Sequence, residues 1–175
     1  MEKIYDYLQT RFGWIGLVAS AKGLTRVTFP MISQEDCMRD ILSNESNIPS
    51  YGPNYFEPLK NKLSLYFKGY GVSFDEEQLD CSESTVFQKA AWLACMSIPL
   101  GQTRTYKWLS TKAGSPKAAR AAGQAMAQNR WPIIVPCHRV IASDGRLKGY
   151  GKGTELIHVK KKLLDLEFGF RAGGN

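Results

Sequence analysis

The chain has 175 residues, enough to bury a real core and to form one domain or a small domain packed on a larger one. At 43% apolar and 22% charged it reads as a soluble globular protein, and no apolar run is long enough to span a membrane. The net charge of +7 is uneven: residues 1–100 carry 9 basic and 12 acidic side chains, residues 101–175 carry 14 and 4. A basic half of this kind favours polyanions, nucleic acid first and an anionic membrane surface second.

Residues 1–10 are mixed and polar, so no signal peptide is expected and a reducing interior is the default. Residues 13–20 and 24–29 are β-rich runs joined by Ala21-Lys22-Gly23, which predicts a hairpin ended by Pro30. Residues 43–52, rich in Ser, Asn, Pro and Gly, predict a loop. Phe56, Leu59, Leu63 and Phe67 recur at helical spacing before Gly69, giving an amphipathic helix with a glycine stop. Residues 1–80 therefore read as a structural α/β domain without a catalytic set. Residues 75–84, acidic and polar, read as a linker.

The second half, residues 85–170, reads as mainly helical. Residues 85–96 form a helix with Val86, Ala90, Leu93 and Ala94 on one face, followed by the turn Pro99-Leu100-Gly101. Residues 106–112 predict a short helix stopped at Ala113-Gly114. Ser115-Pro116 then supplies an N-cap and a proline in the first turn of a helix from Lys117 to about Gln128. Two short helices around a glycine-containing turn, the second basic near its start, predict a helix-turn-helix. The alanine-rich face of the second helix allows close backbone approach and suits a narrow groove. Leu156, Val159, Leu163 and Leu166 form a core stripe, with Thr154 as N-cap and Gly169 as stop.

Between these helices, Ile133-Ile134-Val135 predicts a buried strand emptying into a turn that presents Cys137 beside His138, in the box Pro136-Cys137-His138-Arg139-Val140. Cysteine acts through its thiolate, which a neighbouring base or polarised pocket produces at neutral pH. The other cysteines, Cys37, Cys81 and Cys95, lie far from it in sequence and form no CxxC pair. The only other histidine is His158, so no disulfide framework or zinc cluster is expected.

Phe87-Gln88, Ile98-Pro99-Leu100-Gly101, Thr105-Tyr106, the run Ser115 to Gly123, Asn129, the Cys137 box, Gly145, Gly149-Tyr150, Gly153, Leu163-Leu164 and Glu167 follow in a specific order. Over this stretch the chain closely resembles the O6-alkylguanine-DNA alkyltransferases, which repair DNA by direct reversal. The resemblance implies a ribonuclease-H-like sheet with a helix in the N-terminal α/β domain. It implies a mainly α-helical C-terminal domain with a winged-helix-like helix-turn-helix. It further implies single-use, irreversible transfer of an alkyl group from O6-alkylguanine to Cys137, leaving O4-alkylthymine open as a second substrate. His138 would act on Cys137 through a water, Glu167 would orient His138, and Tyr106 would donate to the leaving guanine. Arg120 would fill the gap left by the extruded nucleotide, with Ala119, Gly123, Thr105 and Lys117 at the minor groove of double-stranded DNA. Pro132, Val140, Tyr150 and Gly151 would line the alkylguanine pocket, and Asn129 would brace the turn before Cys137. Arg130-Trp131 would make the pocket rim bulkier and more cationic than in many members.

No cofactor, metal or membrane is implied. The resemblance implies a monomer, cytoplasmic in location or nuclear in a eukaryote. Two rivals from other classes are a non-catalytic helix-turn-helix binder and a Cys-His hydrolase. Transfer stoichiometry separates them: none for the binder, one per protein for the transferase, many for the hydrolase.

Overall fold

Strand β1 (Ile4–Thr10) pairs antiparallel with β2 (Gly13–Ser20), and β2 with β3 (Gly23–Val27), with a register shift at Val18/Ala19. The two-residue β4 (Ser50–Tyr51) adds parallel to β1, giving the order β3-β2-β1-β4. The structure is a computed structural model and describes residues 2–43, 47–151 and 153–172. The chain divides into two compact units between Cys81 and Ser82.

In the first unit the expected hairpin is present as β2 and β3, but β1 and helix α1 (Gln34–Ser43) were not legible as regular structure. The sheet is covered on both faces, so β1 lacks the polar/apolar alternation of a half-exposed strand. On one face Val18 packs with Cys37 and Ile41 of α1, flanked by Tyr5, Tyr7 and Trp14. On the other lies Asp6, 1% exposed, whose carboxylate meets Lys60 of α2 (Pro53–Lys68) at 2.7 Å. Helix α1 buries Cys37 and Ile41, with Met38 partly buried beside them and Leu42 exposed, so its apolar positions span little more than one turn and give only a short helical signal. Helix α2 buries Phe56, Leu59, Leu63 and Phe67 and ends at Gly69, whose φ of 98° needs a residue without Cβ.

The expected linker is ordered against this sheet. Leu24 N donates to Gln78 O at 2.8 Å, Asp80 N to Leu24 O at 2.8 Å, and Ser20 Oγ to Asp80 Oδ2 at 2.8 Å. Its polar side chains hide a segment whose backbone extends the sheet edge.

In the second unit α3 (Val86–Met96) starts with a capping box: Thr85 Oγ1 accepts from Gln88 N and the Gln88 side chain accepts from Thr85 N. Its buried face is Ala91, Trp92, Ala94 and Cys95; Val86 and Leu93 are exposed, which corrects the expected face. Trp92 explains the rotation, because its Nε1 donates to Ala125 O at 2.9 Å and its ring packs edge-on against Trp131. Strand β5 (Arg104–Thr105) leads into α4 (Tyr106–Lys112), capped by Thr105 Oγ1. Helix α5 (Ala119–Ala127) packs on α3 and α4 and starts two residues later than expected. Ser115 N bonds back to Ser110 O at 2.8 Å and Ala118 N to Ser115 O at 2.9 Å, so Ser115 closes a turn and does not cap a helix.

Residues 132–135 are not a strand. They form a turn in which Val135 N bonds Trp131 O at 2.8 Å and Ile133 takes a left-handed φ of 78°. A single 3-10 turn (Cys137–Arg139) follows, then β6 (Val140–Ile141), parallel to β5. Helix α6 (Ile157–Ala172) packs on that 3-10 turn. It begins after Thr154 has closed a turn through its carbonyl, which accepts from Ile157 N at 3.1 Å. It runs through Gly169, since one exposed glycine costs a helix only about 1 kcal/mol. Among the described residues no helix is long and apolar enough to cross a membrane.

Candidate active site

Parallel pairing of β5 with β6 sets Arg104 opposite Val140 and Thr105 opposite Ile141. The start of α4 and the end of the Cys137 turn are thereby tied together. Helix α5 closes the other side. Between them lies a cleft of about 550 Å³, within the size range of small-ligand sites. Cys137 lines it, with Tyr106 from α4, Arg120, Gly123 and Gln124 from α5, and the loop Lys148, Gly149, Tyr150 and Gly151 opposite.

Cys137 itself is only 3% exposed. Asn129, at the end of α5, donates through Nδ2 to Val135 O at 2.9 Å and lies 3.1 Å from Cys137 Sγ. Its Oδ1 accepts from Trp131 N at 2.9 Å. One amide thus spans the whole turn and ends on the sulfur. Burial pushes the Cys137 thiol above its ordinary value of 9.0, against the downward pull of Asn129, Lys160 and nearby backbone N–H groups.

Behind the cysteine lies a buried charge network. His138 Nε2 is 2.8 Å from Glu167 Oε1, and Arg139 donates to both carboxylate oxygens at 2.9 Å. The Arg139 Nη1 donates to Ile98 O at 2.7 Å, and Gly101 N to Glu167 Oε2 at 3.2 Å. Burial alone would raise the Glu167 carboxyl, yet His138 and Arg139 hold it well below the usual carboxylate range. Burial lowers His138, which Glu167 only partly offsets, so the ring is neutral near pH 7. An ionised carboxylate only accepts, so Nε2 carries the ring proton and Nδ1 is the basic nitrogen. Burial raises Tyr106, with Cys137 and Cys95 adding to the shift, so its hydroxyl keeps its proton.

Lys160 was missed in the sequence. It is 1% exposed and donates from Nζ to Val140 O at 2.6 Å and to Gly149 O at 3.3 Å, fastening the loop that forms one lip of the cleft. A signal existed: Lys160 stands seven residues before Glu167, on the same face of α6. Arg139 was read only as part of the box, and Gln124, Met126, Ala127 and Lys148 were not singled out, although all four line the cleft.

Of the expected pocket residues, Tyr150 and Gly151 line the cleft. Pro132 and Val140 are buried but do not line it. Ala119, Arg120 and Gly123 lie along its α5 wall, whereas Thr105 serves as the cap of α4 and Lys117 sits in the preceding turn. Arg130-Trp131 does not form a rim. Trp131 is fully buried on Trp92, and Arg130 stacks over Trp131 and reaches Glu83 at 3.3 Å. Their size serves the core under α3, which a one-residue comparison could not reveal. Among the described residues no group of three or more His, Cys, Asp or Glu side chains could hold a metal ion.

A buried thiol opening into a cleft walled by the second helix of a helix-turn-helix defines a group-transfer site on a DNA-binding type of scaffold. Residues 86–168 match the family model of the 6-O-methylguanine DNA methyltransferase DNA binding domain, and residues 3–81 that of its ribonuclease-like domain. The chain belongs to this family. It is 44% identical over 164 residues to the methylated-DNA–protein-cysteine methyltransferase of Methanosarcina acetivorans, covering 93% of this chain and 97% of that one. The constitutive enzyme of the same name from Bacillus subtilis is 37% identical over 166 residues, covering 93% and 95%. The crystal structure of Mycobacterium tuberculosis OGT in complex with DNA superposes with a TM-score of 0.78 at 34% identity, covering 95% of this chain and 94% of that one.

Proposed function

We infer that this protein repairs DNA by moving an alkyl group from O6 of guanine onto Cys137, once per molecule. The observation that carries the reading is Cys137 Sγ, held by Asn129 at the wall of a base-sized cleft, with His138, Glu167 and Arg139 packed behind it.

The resting sulfur is a thiol, because burial opposes its charge. His138, neutral and carrying its proton on the Glu167 side, takes the thiol proton at its basic Nδ1, by way of a water as the family resemblance implies. The sulfur attacks the alkyl carbon in line, the S–C bond forms, and the C–O bond breaks with its electron pair passing to the guanine oxygen. Tyr106, still protonated, donates toward that developing charge. The proton taken from the thiol ends on the guanine, so the products are neutral guanine and a thioether. A thioether is not hydrolysed under mild conditions, so the protein is consumed.

The target atom lies inside a duplex, so the nucleotide is extruded into the cleft. Helix α5 suits the minor groove. Its outward face is small except for Arg120 and Gln124, both exposed, which supports Arg120 as the side chain that fills the vacated stack. Tyr150 and Gly151 form the far wall of the base site, and Asn129 keeps the turn in register. The protein acts as a monomer in the compartment that holds DNA, the cytoplasm or, in a eukaryote, the nucleus.

Mixing the protein with duplex DNA containing O6-methylguanine tests the reading by intact mass and peptide mapping. One methyl group per molecule on Cys137 is expected. Methyl on Cys37, Cys81 or Cys95 sinks the assignment, many turnovers favour a hydrolase, and unmodified protein that still binds favours a sensor.

A further inference from the structure

The cleft has two lips, and among the described residues that line it Arg120 and Lys148 are the cations, one on each lip. Arg120 projects from α5, and Lys148 stands on the loop opposite, its side chain 57% exposed. No acidic side chain is among the described residues lining the cleft. Arg120 is taken by the gap in the base stack, so Lys148 is a second positive charge at the mouth with no role in the mechanism above.

The loop is built to hold it there. Gly145, with φ 78°, closes a turn in which Gly145 N donates to Ala142 O at 3.0 Å and Ala142 N to Arg146 O at 3.2 Å. Asp144 accepts from Arg146 N at 3.0 Å and faces Lys148 Nζ at 3.5 Å. On the other side, Gly149 O, one residue on, is gripped by the buried Lys160. Lys148 is thus fixed at its backbone and tethered at its tip by a solvent-exposed partner, an arrangement that a stronger anion displaces easily.

A nucleotide that enters a cleft base-first leaves its sugar and flanking phosphates at the lips. We propose that Lys148 binds the backbone phosphate of the extruded nucleotide, exchanging Asp144 for it, and so holds the nucleotide in its extruded position. An ammonium is a compact point charge with rotatable donors, suited to one phosphate oxygen whose position shifts during extrusion. This role rests on the alkyl-transfer reading and adds a positioning residue to it.

The test uses the full chain and its Lys148→Gln, Lys148→Arg and Asp144→Asn variants. Affinity for an O6-methylguanine duplex is measured across salt concentrations, and single-turnover transfer is measured from that duplex and from free O6-methylguanine base. Removing one phosphate-binding lysine should lower the slope of log affinity against log salt by about one. Lys148→Gln should therefore show that loss, together with a drop in transfer confined to the duplex. Lys148→Arg should restore both, and Asp144→Asn should bind the duplex more tightly than the parent chain. An unchanged salt slope overturns the proposal. So does an equal loss on free base, which would make Lys148 part of the base site. Parent protein that transferred nothing from either substrate would overturn the alkyl-transfer reading, and the Lys148 role with it.

Discussion

Cys37 and Cys137 are both buried thiols, one in each unit, and their surroundings differ in kind. Cys37 sits on α1 against Val18 and Ile41, and burial pushes it up to about 11, with Asp40 adding to the rise. Its polar neighbour is the Thr28 hydroxyl at 4.0 Å, a weak contact. Cys137 is raised by burial too, but it faces a cleft, receives the Asn129 amide and lies within the field of Lys160. Burial by itself therefore locks a thiol. What makes a nucleophile is an opening on one side and aimed donors on the other.

Alanine at each position gives the widest separation. Cys137→Ala should abolish transfer while leaving DNA binding intact, since the residues facing the duplex are untouched. Cys37→Ala should transfer normally and lose about 1 kcal/mol of stability by denaturant unfolding, the usual cost of a modest core deletion. Transfer lost in the Cys37 variant, with its fold intact, would break the contrast.

Asn129→Ala sharpens the same point by making Cys137 more like Cys37. It removes the donor on Sγ and leaves Val135 O and Trp131 N without their amide partner. We expect at least a tenfold slower transfer, roughly 1.4 kcal/mol, and a stability loss of about 1–3 kcal/mol. A rate equal to that of the parent chain would show that the amide serves the turn alone.

The gentlest probe is pH. A thiol raised above 9.0 gives a transfer rate that climbs from neutrality past pH 9 without levelling off below it. The sign for stability is opposite. A raised acid contributes stability that is present below 9.0 and lost as pH rises through the folded value. His138, lowered by burial, contributes stability present above 6.5 and lost as pH falls below it. A single-turnover pH profile and a pH series of unfolding curves should therefore diverge on the alkaline side. A rate plateau near neutrality would place the thiol lower than its burial implies.

Much of the second unit was legible because its signals are local. The helices over residues 85–96 and 106–112, the second stopped at Ala113-Gly114, and the Cys-His box each carry their meaning within a few positions. What escaped was decided across the fold. Ile133-Ile134-Val135 has strand composition, yet Asn129 and the burial of Trp131 bend it into a turn. Lys160 looks like one of three surface lysines, and only the carbonyls of Val140 and Gly149 show why it is inside. In the first unit, β1 and α1 were hidden because a sheet covered on both faces erases the period that marks a strand. A ten-residue helix whose apolar positions run only from Cys37 to Leu42 shows one over little more than a turn.

Ile133, 1% exposed at φ 78°, carries one further consequence. A β-branched residue held left-handed costs of order 1–3 kcal/mol locally, so the turn before Cys137 has no tendency to form by itself. It is stable only once α5 has delivered Asn129 and the surrounding core has closed. The turn that presents Cys137 should therefore be among the last features a refolding chain acquires. Recovery of transfer activity should trail recovery of helical signal, which makes the reaction a clock for the final step of folding.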